Sequence, residues 1–329
     1  MSNKIAVIGG SGFVGTYLCN EIEKKDIDYC IYDINTEIDN PKIQYCDVTD
    51  LNSMQNIQNC SAIINLAAEH RDDVTPISKY DDVNVEGARN ICKIATKYGI
   101  NKIIFTSSVA VYGFAPNNTD ENGEINYFND YGRTKFLAEE IFKNWQKQDS
   151  INRTIVIIRP TVIFGPGNRG NVYNLLKQIA DNRFIMIGNG QNIKSVAYVK
   201  NVVSFIYHCI NFSAGIHVYN YIDKPDITIN QLVKTTRKTL FNKENVGIKL
   251  PVFFGYFAGY IFDFAAKILN KRFPISKIRV EKFIKDSQFN SSFHETNFRP
   301  KFSIENALIE TIDYEFKKDN SKNRTFDTE

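Results

Sequence analysis

The sequence is short of excess charge, of paired cysteines and of signal-peptide features, and each absence excludes a class of protein. Its 329 residues carry 40 lysines and arginines against 37 acidic residues, a net charge of +3. Nucleic-acid-binding proteins usually show a marked basic excess, so we expect no nucleic-acid partner. The six cysteines form no C-x-x-C pair. This predicts a reducing compartment and gives no indication of a metal site.

The N-terminal residues also lack the features of a secretion signal. MSNKIAVIGG has neither the apolar core nor the small-residue cleavage site of a signal peptide. Together with the cysteine pattern, this predicts a cytoplasmic protein.

What the sequence does have is a large apolar content, 43% of its residues, arranged in a regular alternation. Short apolar runs with β-strand character alternate with segments of helical periodicity, an order that predicts an α/β fold with a parallel, doubly wound sheet of the Rossmann type. The predicted strands are 4–9, 28–33, 43–48, 62–67, 102–107 and 154–160, and the helices between them are 13–25, 83–98 and 131–147.

Beyond residue 160 the pattern becomes mainly helical. We therefore predict a Rossmann domain over 1–160, to which later segments return, a smaller and mostly helical domain over 161–316, and a disordered polar tail over 317–329. The helices predicted in the second part are 171–182, 200–211, 228–242, 252–270 and 303–316, with short strands near 184–187 and 216–221.

The first predicted strand ends in the glycine-rich stretch GGSGFVG, which contains Gly9, Gly12 and Gly15. Glycines at this point allow a tight turn and a close approach to a pyrophosphate at the start of the next helix. Asp33 ends the second strand, 18 residues after Gly15. A carboxylate there binds the ribose diol of NAD and repels the 2′-phosphate of NADP, unless it is a simple turn residue. Asp47 ends the third strand and is placed to reach the adenine.

Two further segments carry reactive side chains. The buried strand KIIFTSS ends in Thr106, Ser107 and Ser108, and NDYGRTK places Tyr131 and Lys135 four residues apart, on one face of a helix. An ammonium and a positive nicotinamide ring would both favour the tyrosinate over its neutral form. Taken alone, the Tyr-Lys pair is better explained as an aromatic residue beside a solvated lysine; together with the glycine motif, Asp33 and the serines it favours a catalytic pair.

Together these segments resemble the extended short-chain dehydrogenase/reductases, in particular the nucleotide-sugar epimerase branch. The resemblance rests on GGSGFVG, Asp33, NLAA (65–68), TSSVAVYG (106–113), the Tyr131–Lys135 pair and IRPTVIFGPG (158–167). It implies NAD as cofactor, and Tyr131, Lys135 and Ser108 as catalytic residues, with Thr106 and Ser107 satisfying backbone groups nearby. The cofactor-binding residues it implies are Gly9, Gly12, Phe13, Val14, Gly15, Asp33, Asp47, Val48, Leu66, Ala67, Ala68, Tyr131, Lys135, Pro160 and Val162.

The reaction implied by this resemblance is an epimerisation by transient oxidation of a sugar carbon. Tyr131 accepts the hydroxyl proton while NAD takes the hydride and later returns it to the other face. The related dehydratases carry an Asp-Glu pair where Val109 and Ala110 stand here. Asp33 disfavours an NADPH-dependent reductase, and the presence of both Tyr131 and Lys135 disfavours a non-catalytic NAD-binding regulator.

Four blocks resemble a narrower group, the bacterial 4-epimerases that act on N-acetylglucosamine linked through a diphosphate to undecaprenol in O-antigen synthesis. These blocks are LAAEHRDDV (66–74), DVNVEGARN (82–90), residues 159–180 and VYNYIDKPD (218–226). A soluble UDP-GlcNAc or UDP-Glc 4-epimerase is the alternative, but such enzymes usually have arginine where Lys194 stands. The predicted substrate-binding residues are Ser107, Ser108, His70, Arg71, Arg169 and Lys194, the last four being equally consistent with exposed loop charges.

The stretch 250–270 adds a possible membrane contact. Eleven uncharged residues lie between Pro251 and Asp263, too few for a span of about 20. Residues 267–285 then hold seven basic residues against the single acid Glu281. An aromatic helix followed by a basic stretch predicts peripheral contact with an anionic membrane at its inner face, the alternative being a buried helix. The family resemblance further implies a homodimer formed through 83–98 and 131–147.

Overall fold

The structure is a computed structural model, and it describes residues 4–37, 40–71, 74–269, 277–320 and 323–328. A seven-stranded parallel sheet with the strand order β11-β6-β5-β4-β1-β2-β3 forms its centre. This confirms the predicted doubly wound fold. The strands are β1 (Lys4–Ile8), β2 (Tyr29–Asp33), β3 (Ile43–Tyr45), β4 (Cys60–Asn65), β5 (Lys102–Thr106), β6 (Thr154–Pro160), β7 (Val162–Phe164), β8 (Met186–Ile187), β9 (Ile193–Lys194), β10 (Val196–Tyr198), β11 (Gly215–Tyr221), β12 (Ile227–Thr228) and β13 (Lys249–Leu250).

Helices cover both faces of this sheet. Ile5 and Val7 of β1 belong to a core shared with the first and fifth helices, whereas Ala6 and Ile8 face the second and third, as the alternation of strand side chains requires. The helices are α1 (Phe13–Glu23), α2 (Gly87–Lys97), α3 (Asp130–Lys147), α4 (Asn171–Ala180), α5 (Val199–His208), α6 (Ile229–Phe241), α7 (Val252–Leu269), α8 (Lys277–Ile284) and α9 (Ile304–Phe316).

The second half of the chain is tied closely to the first. β11 pairs with β6 at the edge of the central sheet, and residues of α4, α5, α6 and α9 share one apolar core with α1. The remaining strands form three two-stranded sheets, β7 with β10, β9 with β12 and β8 with β13. The region predicted as a smaller domain therefore packs directly on the Rossmann sheet.

Part of the tail for which the sequence predicts disorder has defined contacts. The ring centroid of Phe326 lies 5.8 Å from that of Phe13, and the backbone N–H of Phe326 donates to the carbonyl of Gly167 at 2.9 Å. The single aromatic residue of a polar tail finds an apolar partner on α1, which sequence composition alone does not reveal.

Candidate active site

The glycine-rich turn connects β1 to α1 at the carboxyl edge of the sheet. Gly9 has a φ of +76°, and a Cβ there would lie 2.7 Å from the backbone nitrogen of Ala67. A Cβ on Gly15 would lie 2.5 Å from the Cα of Gly10. Both positions therefore require glycine, one for its backbone conformation and its close neighbour, the other for the tight packing of α1 against the turn.

The start of α1 has free hydrogen-bonding capacity. Gly12 precedes the helix in an extended conformation, and no side chain of the described residues caps it. The first backbone N–H groups of a helix lack intrahelical partners, and the helix dipole favours an anion there. The turn and the residues Phe13 and Val14 that follow it thus fit the pyrophosphate of a dinucleotide.

Asp33 lies beside this turn, at the end of β2. Its Oδ2 accepts a hydrogen bond from the backbone N–H of Ser11 at 2.9 Å, and its Oδ1 accepts one from that of Asn35 at 3.0 Å. These bonds fix the half-buried carboxylate next to the glycine turn, and each oxygen keeps a further acceptor site. The arrangement fits a ribose diol.

Replacing Asp33 by alanine is expected to weaken NAD binding. The diol loses a charge-assisted hydrogen bond worth about 1.5–3 kcal/mol, which corresponds to a roughly 10- to 100-fold higher dissociation constant. Calorimetric titration with NAD measures it, with Asp28→Ala as a control because Asp28 is exposed at the other end of the same strand region. Wild-type protein that binds NADP as tightly as NAD would contradict the assignment.

The other residues predicted to bind the cofactor lie along the same edge of the sheet. Leu66, Ala67 and Ala68 follow β4, and the N–H of Leu66 donates to the carbonyl of Ile8 at 2.9 Å. The Asp47 carboxylate accepts both the N–H and the hydroxyl of Thr49 at 2.8 Å. Val48 is buried against Gly87, whereas Pro160 ends β6 and Val162 begins β7.

Ser108 and Tyr131 are brought together across the mouth of the sheet. Asn129 caps α3 by accepting the N–H of Gly132 at 2.9 Å, which places Tyr131 in the first turn. Ser108 has extended backbone geometry, and its Oγ accepts the N–H of Ala110 at 3.1 Å. The Ser108 hydroxyl lies close enough to that of Tyr131 to lower the pKa of the tyrosine.

Glycine at position 132 makes this contact possible. A Cβ on Gly132 would lie 2.5 Å from the carbonyl oxygen of Ala110. The first turn of α3 therefore lies directly against the segment that carries Ser108, so the N-D-Y-G sequence has a geometric reason as well as a chemical one.

Burial controls the charge of both Tyr131 and Lys135. Desolvation raises the pKa of Tyr131 to about 12, while the Ser108 hydroxyl lowers that pKa and Tyr80 raises it. Lys135 is 2% exposed, and its Nζ lies 4.4 Å from the ring centroid of Phe105. Desolvation lowers the pKa of Lys135 to about 7, against an upward effect of Glu139. The lowering of the Tyr131 pKa by Lys135 that the sequence predicts is not seen here.

The other two hydroxyls at the end of β5 point elsewhere. The hydroxyl of Thr106 donates to the carbonyl of Asn65 at 3.2 Å, a backbone contact as predicted. The hydroxyl of Ser107 donates to Glu139 at 2.5 Å. Because its only proton is used on a buried carboxylate, Ser107 is not placed as a hydrogen-bond donor to substrate.

The sequence-based prediction assigned no role to Asn84. This buried residue lies in a π-helix, Asp81–Glu86, that precedes α2. Its amide accepts the N–H of Glu69 at 2.9 Å and donates to the hydroxyl of Thr134 at 2.9 Å. Asn84 thus joins α3 to the loop after β4. In the sequence, the block DVNVEGARN contains this asparagine between two valines. A polar residue at an apolar position is the signal that could have indicated the link.

The four side chains predicted to bind the substrate diphosphate have different surroundings. His70 and Arg71 are exposed in the loop after β4. Arg169 forms a 2.7 Å ion pair with Glu315 and stacks over Tyr173.

Lys194 lies on β9. Its Nζ donates to the carbonyl of Lys285 at 2.6 Å, and burial lowers its pKa to about 8. His70 and Arg71 remain suitable for a phosphate. The roles predicted for Arg169 and Lys194 would require exchange of these internal partners.

The described residues contain no group of three or more His, Cys, Asp and Glu side chains that is placed to hold a metal ion. Cavities of about 680 and 520 Å³ lie along the edge strand β11 and the segment 290–300. Neither is lined by Tyr131, Lys135 or Ser108.

Comparison with known proteins shows which family the chain is similar to. The model of the NAD dependent epimerase/dehydratase family matches residues 5–221. The N-acetyl-alpha-D-glucosaminyl-diphospho-ditrans,octacis-undecaprenol 4-epimerase of Escherichia coli O157:H7 is 45% identical over 328 residues, covering 97% of this chain and 98% of that protein. The UDP-glucose 4-epimerase of Vibrio cholerae is 28% identical over 250 residues, covering 71% of this chain and 75% of its own length.

Solved structures with the same fold are more distant in sequence. The UDP-Glc/GlcNAc 4-epimerase of Campylobacter jejuni superposes with a TM-score of 0.74 at 15% identity, covering 96% of this chain and 100% of its own. The UDP-glucuronic acid 4-epimerase of Bacillus cereus, solved in complex with NAD, gives a TM-score of 0.71 at 19% identity and covers 94% and 98%. At these identities the similarity establishes the fold.

Proposed function

The chain belongs to the NAD dependent epimerase/dehydratase family, and we propose that it is a 4-epimerase that interconverts N-acetylglucosamine and N-acetylgalactosamine on undecaprenyl diphosphate. The observation that carries this proposal is the 45% identity, over 97% of the chain, to a relative with that named activity. The cofactor is NAD, as the family name states, and the glycine turn, the start of α1 and Asp33 fit it.

The site residues divide the reaction between them. Held by the glycine turn and Asp33, NAD would supply reversible hydride-transfer chemistry at C4 of the sugar. Tyr131, whose tyrosinate form the positive nicotinamide ring of bound NAD would favour, accepts the proton of the C4 hydroxyl and gives it back, and Ser108, held by Ala110, hydrogen-bonds the same oxygen. Lys135 places a buried amino group, charged below its pKa of about 7, one helical turn beyond Tyr131. No further acid or base is needed, because the sugar leaves as an isomer of the substrate.

Elimination of water is disfavoured at this site. Val109 and Ala110 form the start of a 3₁₀ helix directly after Ser108, where the related dehydratases carry an acid pair. Aliphatic side chains cannot protonate a leaving hydroxyl. We therefore expect no 4-keto-6-deoxy product to accumulate.

The outer face of α7 supports a substrate held in a membrane. Phe253, Phe254, Phe257, Tyr260 and Ile261 are between 46% and 64% exposed, and their spacing places them in one stripe along the helix. Gly255 faces the opposite way, and a Cβ there would lie 2.7 Å from Ile187. An exposed aromatic stripe suits a helix that lies in the headgroup region, so the alternative of a buried helix is disfavoured for this stripe.

The basic stretch that follows α7 is described only at its end. Lys285 is exposed and pairs with Glu281 at 2.6 Å. The side chains of Lys267, Lys271, Arg272, Lys277, Arg279 and Lys282 lie outside the described residues. No helix in the described ranges is long and apolar enough to cross a bilayer. We propose peripheral contact with the inner face of the cell membrane, in O-antigen or other surface-polysaccharide synthesis.

The homodimer through α2 and α3 stays a prediction. Both helices are fully described, and neither contributes to the strongly exposed large apolar side chains of the chain. Any dimer there would rest on partly buried side chains such as Leu137 and Ile141.

The test of the proposed function is a direct comparison of carriers. Purified protein is given polyprenyl-diphospho-GlcNAc and UDP-GlcNAc in separate reactions, and the C4 epimer is quantified by chromatography of the released sugar. We expect turnover of the lipid-linked sugar, with a kcat/KM at least about tenfold above that for UDP-GlcNAc, a difference of roughly 1.4 kcal/mol. Faster turnover of UDP-GlcNAc would replace this proposal by the soluble nucleotide-sugar epimerase.

A further inference from the structure

A buried ion pair lies beneath the catalytic residues. Glu139 is fully buried, with 0% exposure. It accepts two hydrogen bonds from Arg159, from Nε at 2.9 Å and from Nη2 at 2.6 Å, and a third from the Ser107 hydroxyl at 2.5 Å. Its other charged neighbours are Lys143, whose Nζ lies 3.9 Å from its carboxylate, and Lys135, whose pKa it raises.

The pair reaches both ends of the segment that carries Ser108. Ser107 precedes that residue directly. From the other side, Nη1 of Arg159 donates to the hydroxyl of Tyr112 at 2.6 Å, and Tyr112 ends the 3₁₀ helix that Ser108 caps. The Tyr112 hydroxyl in turn donates to Asn220 at 2.8 Å. The segment between Ser107 and Tyr112 is therefore held at each end by the same ion pair.

The same carboxylate also faces the α3 side of the site. Tyr131, Lys135 and Glu139 are spaced by four residues on one face of α3, so Glu139 lies one turn below the lysine. Burial of an ion pair usually contributes little net stability relative to apolar side chains of the same volume. Stability alone therefore does not account for a fully buried Glu-Arg pair at this place.

We propose that Glu139, paired with Arg159, is a positioning residue of the active site that fixes Ser107, and through it Ser108, while balancing the positive charge of Lys135. The inference rests on the proposed function, since it concerns the residues that would hold and deprotonate the sugar hydroxyl. Glu139 itself touches neither substrate nor cofactor.

Glu139→Gln tests the charge-balancing part. We expect kcat to fall about tenfold or more with KM little changed, because small displacements of oriented groups have effects of this size. Loss of the carboxylate also lowers the pKa of Lys135 further, so the lysine loses its proton at lower pH. The alkaline limb of the pH–kcat profile should then move down by about one pH unit. Glu140→Gln is the control, because Glu140 is half-exposed and its carboxylate forms an ion pair with Lys143.

Two more variants separate positioning from charge. Ser107→Ala removes the link to Ser108 but no charge, so kcat should fall while the alkaline limb stays in place. Glu139→Asp keeps the charge with a shorter reach, so it should also lower kcat without moving the limb. If folded Glu139→Gln keeps the wild-type profile and rate, the proposal is wrong. If Glu139→Gln does not fold, an unchanged rate in both Ser107→Ala and Glu139→Asp overturns it.

A measurement without substrate distinguishes this inference from the proposed function. In wild-type protein, Lys135 binds its proton less tightly when folded, with a pKa of about 7, than when unfolded, at about 10.4. Above pH 7 the unfolded state therefore binds more protons than the folded state. The contribution of Lys135 to the free energy of unfolding rises as the pH increases from about 7. In Glu139→Gln that rise should begin at lower pH, as followed by the melting temperature between pH 5.5 and 8.5. An unchanged pH dependence overturns the charge-balancing role even if epimerisation is found, and a shifted one supports it even if every sugar tested is inert.

Discussion

Tyr131→Phe is expected to lower kcat by about 10²- to 10⁴-fold while NAD stays bound, because the variant loses the hydroxyl that we propose takes the sugar proton. The phenyl ring keeps the packing of the first turn of α3, and the glycine turn and Asp33 lie on other elements. Turnover is measured with the lipid-linked sugar, and NAD content is measured after denaturation of the purified variant.

Tyr127→Phe is the matched control for this experiment. Tyr127 is a half-exposed tyrosine four residues earlier, outside α3, so loss of its hydroxyl should leave turnover near the wild-type value. Ser108→Ala is expected to cost about 10²-fold, the usual effect of removing one oriented hydrogen-bonding group. A Tyr131→Phe protein with most of the wild-type rate would show that another group is the base.

The sequence predicts the sheet, and the placing of Tyr131 and Lys135 on one face of α3, because both depend on local patterns. Apolar runs, their spacing and the glycine turn are visible in short windows, and so are Tyr131 and Lys135 at four-residue spacing. The place of β11 beside β6 depends instead on a pairing between segments about 60 residues apart in the chain. Periodicity predicts a strand there but not its neighbour.

Side chains with distant partners are where the sequence-based interpretation fails. In the sequence, Glu139 belongs to KFLAEE, a pattern typical of the exposed, charged face of a helix. In the structure it is buried, because Arg159 on β6 pairs with it. The substrate contact predicted for Ser107 fails for the same reason, since the Ser107 hydroxyl donates to the buried Glu139. From the sequence, Arg169 could bind a phosphate, but in the structure it forms an ion pair with Glu315 of α9. In each case the missing information is which opposite charge the fold places nearby.

Replacing Phe253, Phe254 and Phe257 together by serine is expected to abolish most membrane binding. A buried phenylalanine contributes about 1.5–3 kcal/mol, so losing even part of three such contributions lowers partitioning by more than about 100-fold. The wild-type protein should sediment with vesicles of phosphatidylglycerol and phosphatidylethanolamine at low salt. High salt should release it only in part, because screening weakens the basic contacts but not the aromatic ones.

The triple variant should also lose activity on the lipid-linked sugar in vesicles while keeping it on a short-chain, water-soluble diphosphate analogue, because the residues proposed to act at the reacting carbon lie after β5 and on α3. Ile151→Ser is the control, since Ile151 is 84% exposed in the loop between α3 and β6. Equal sedimentation of wild type and triple variant would contradict the membrane-facing role of the aromatic stripe. Loss of activity on both substrates would instead mean that the stripe supports the fold of the second half of the chain.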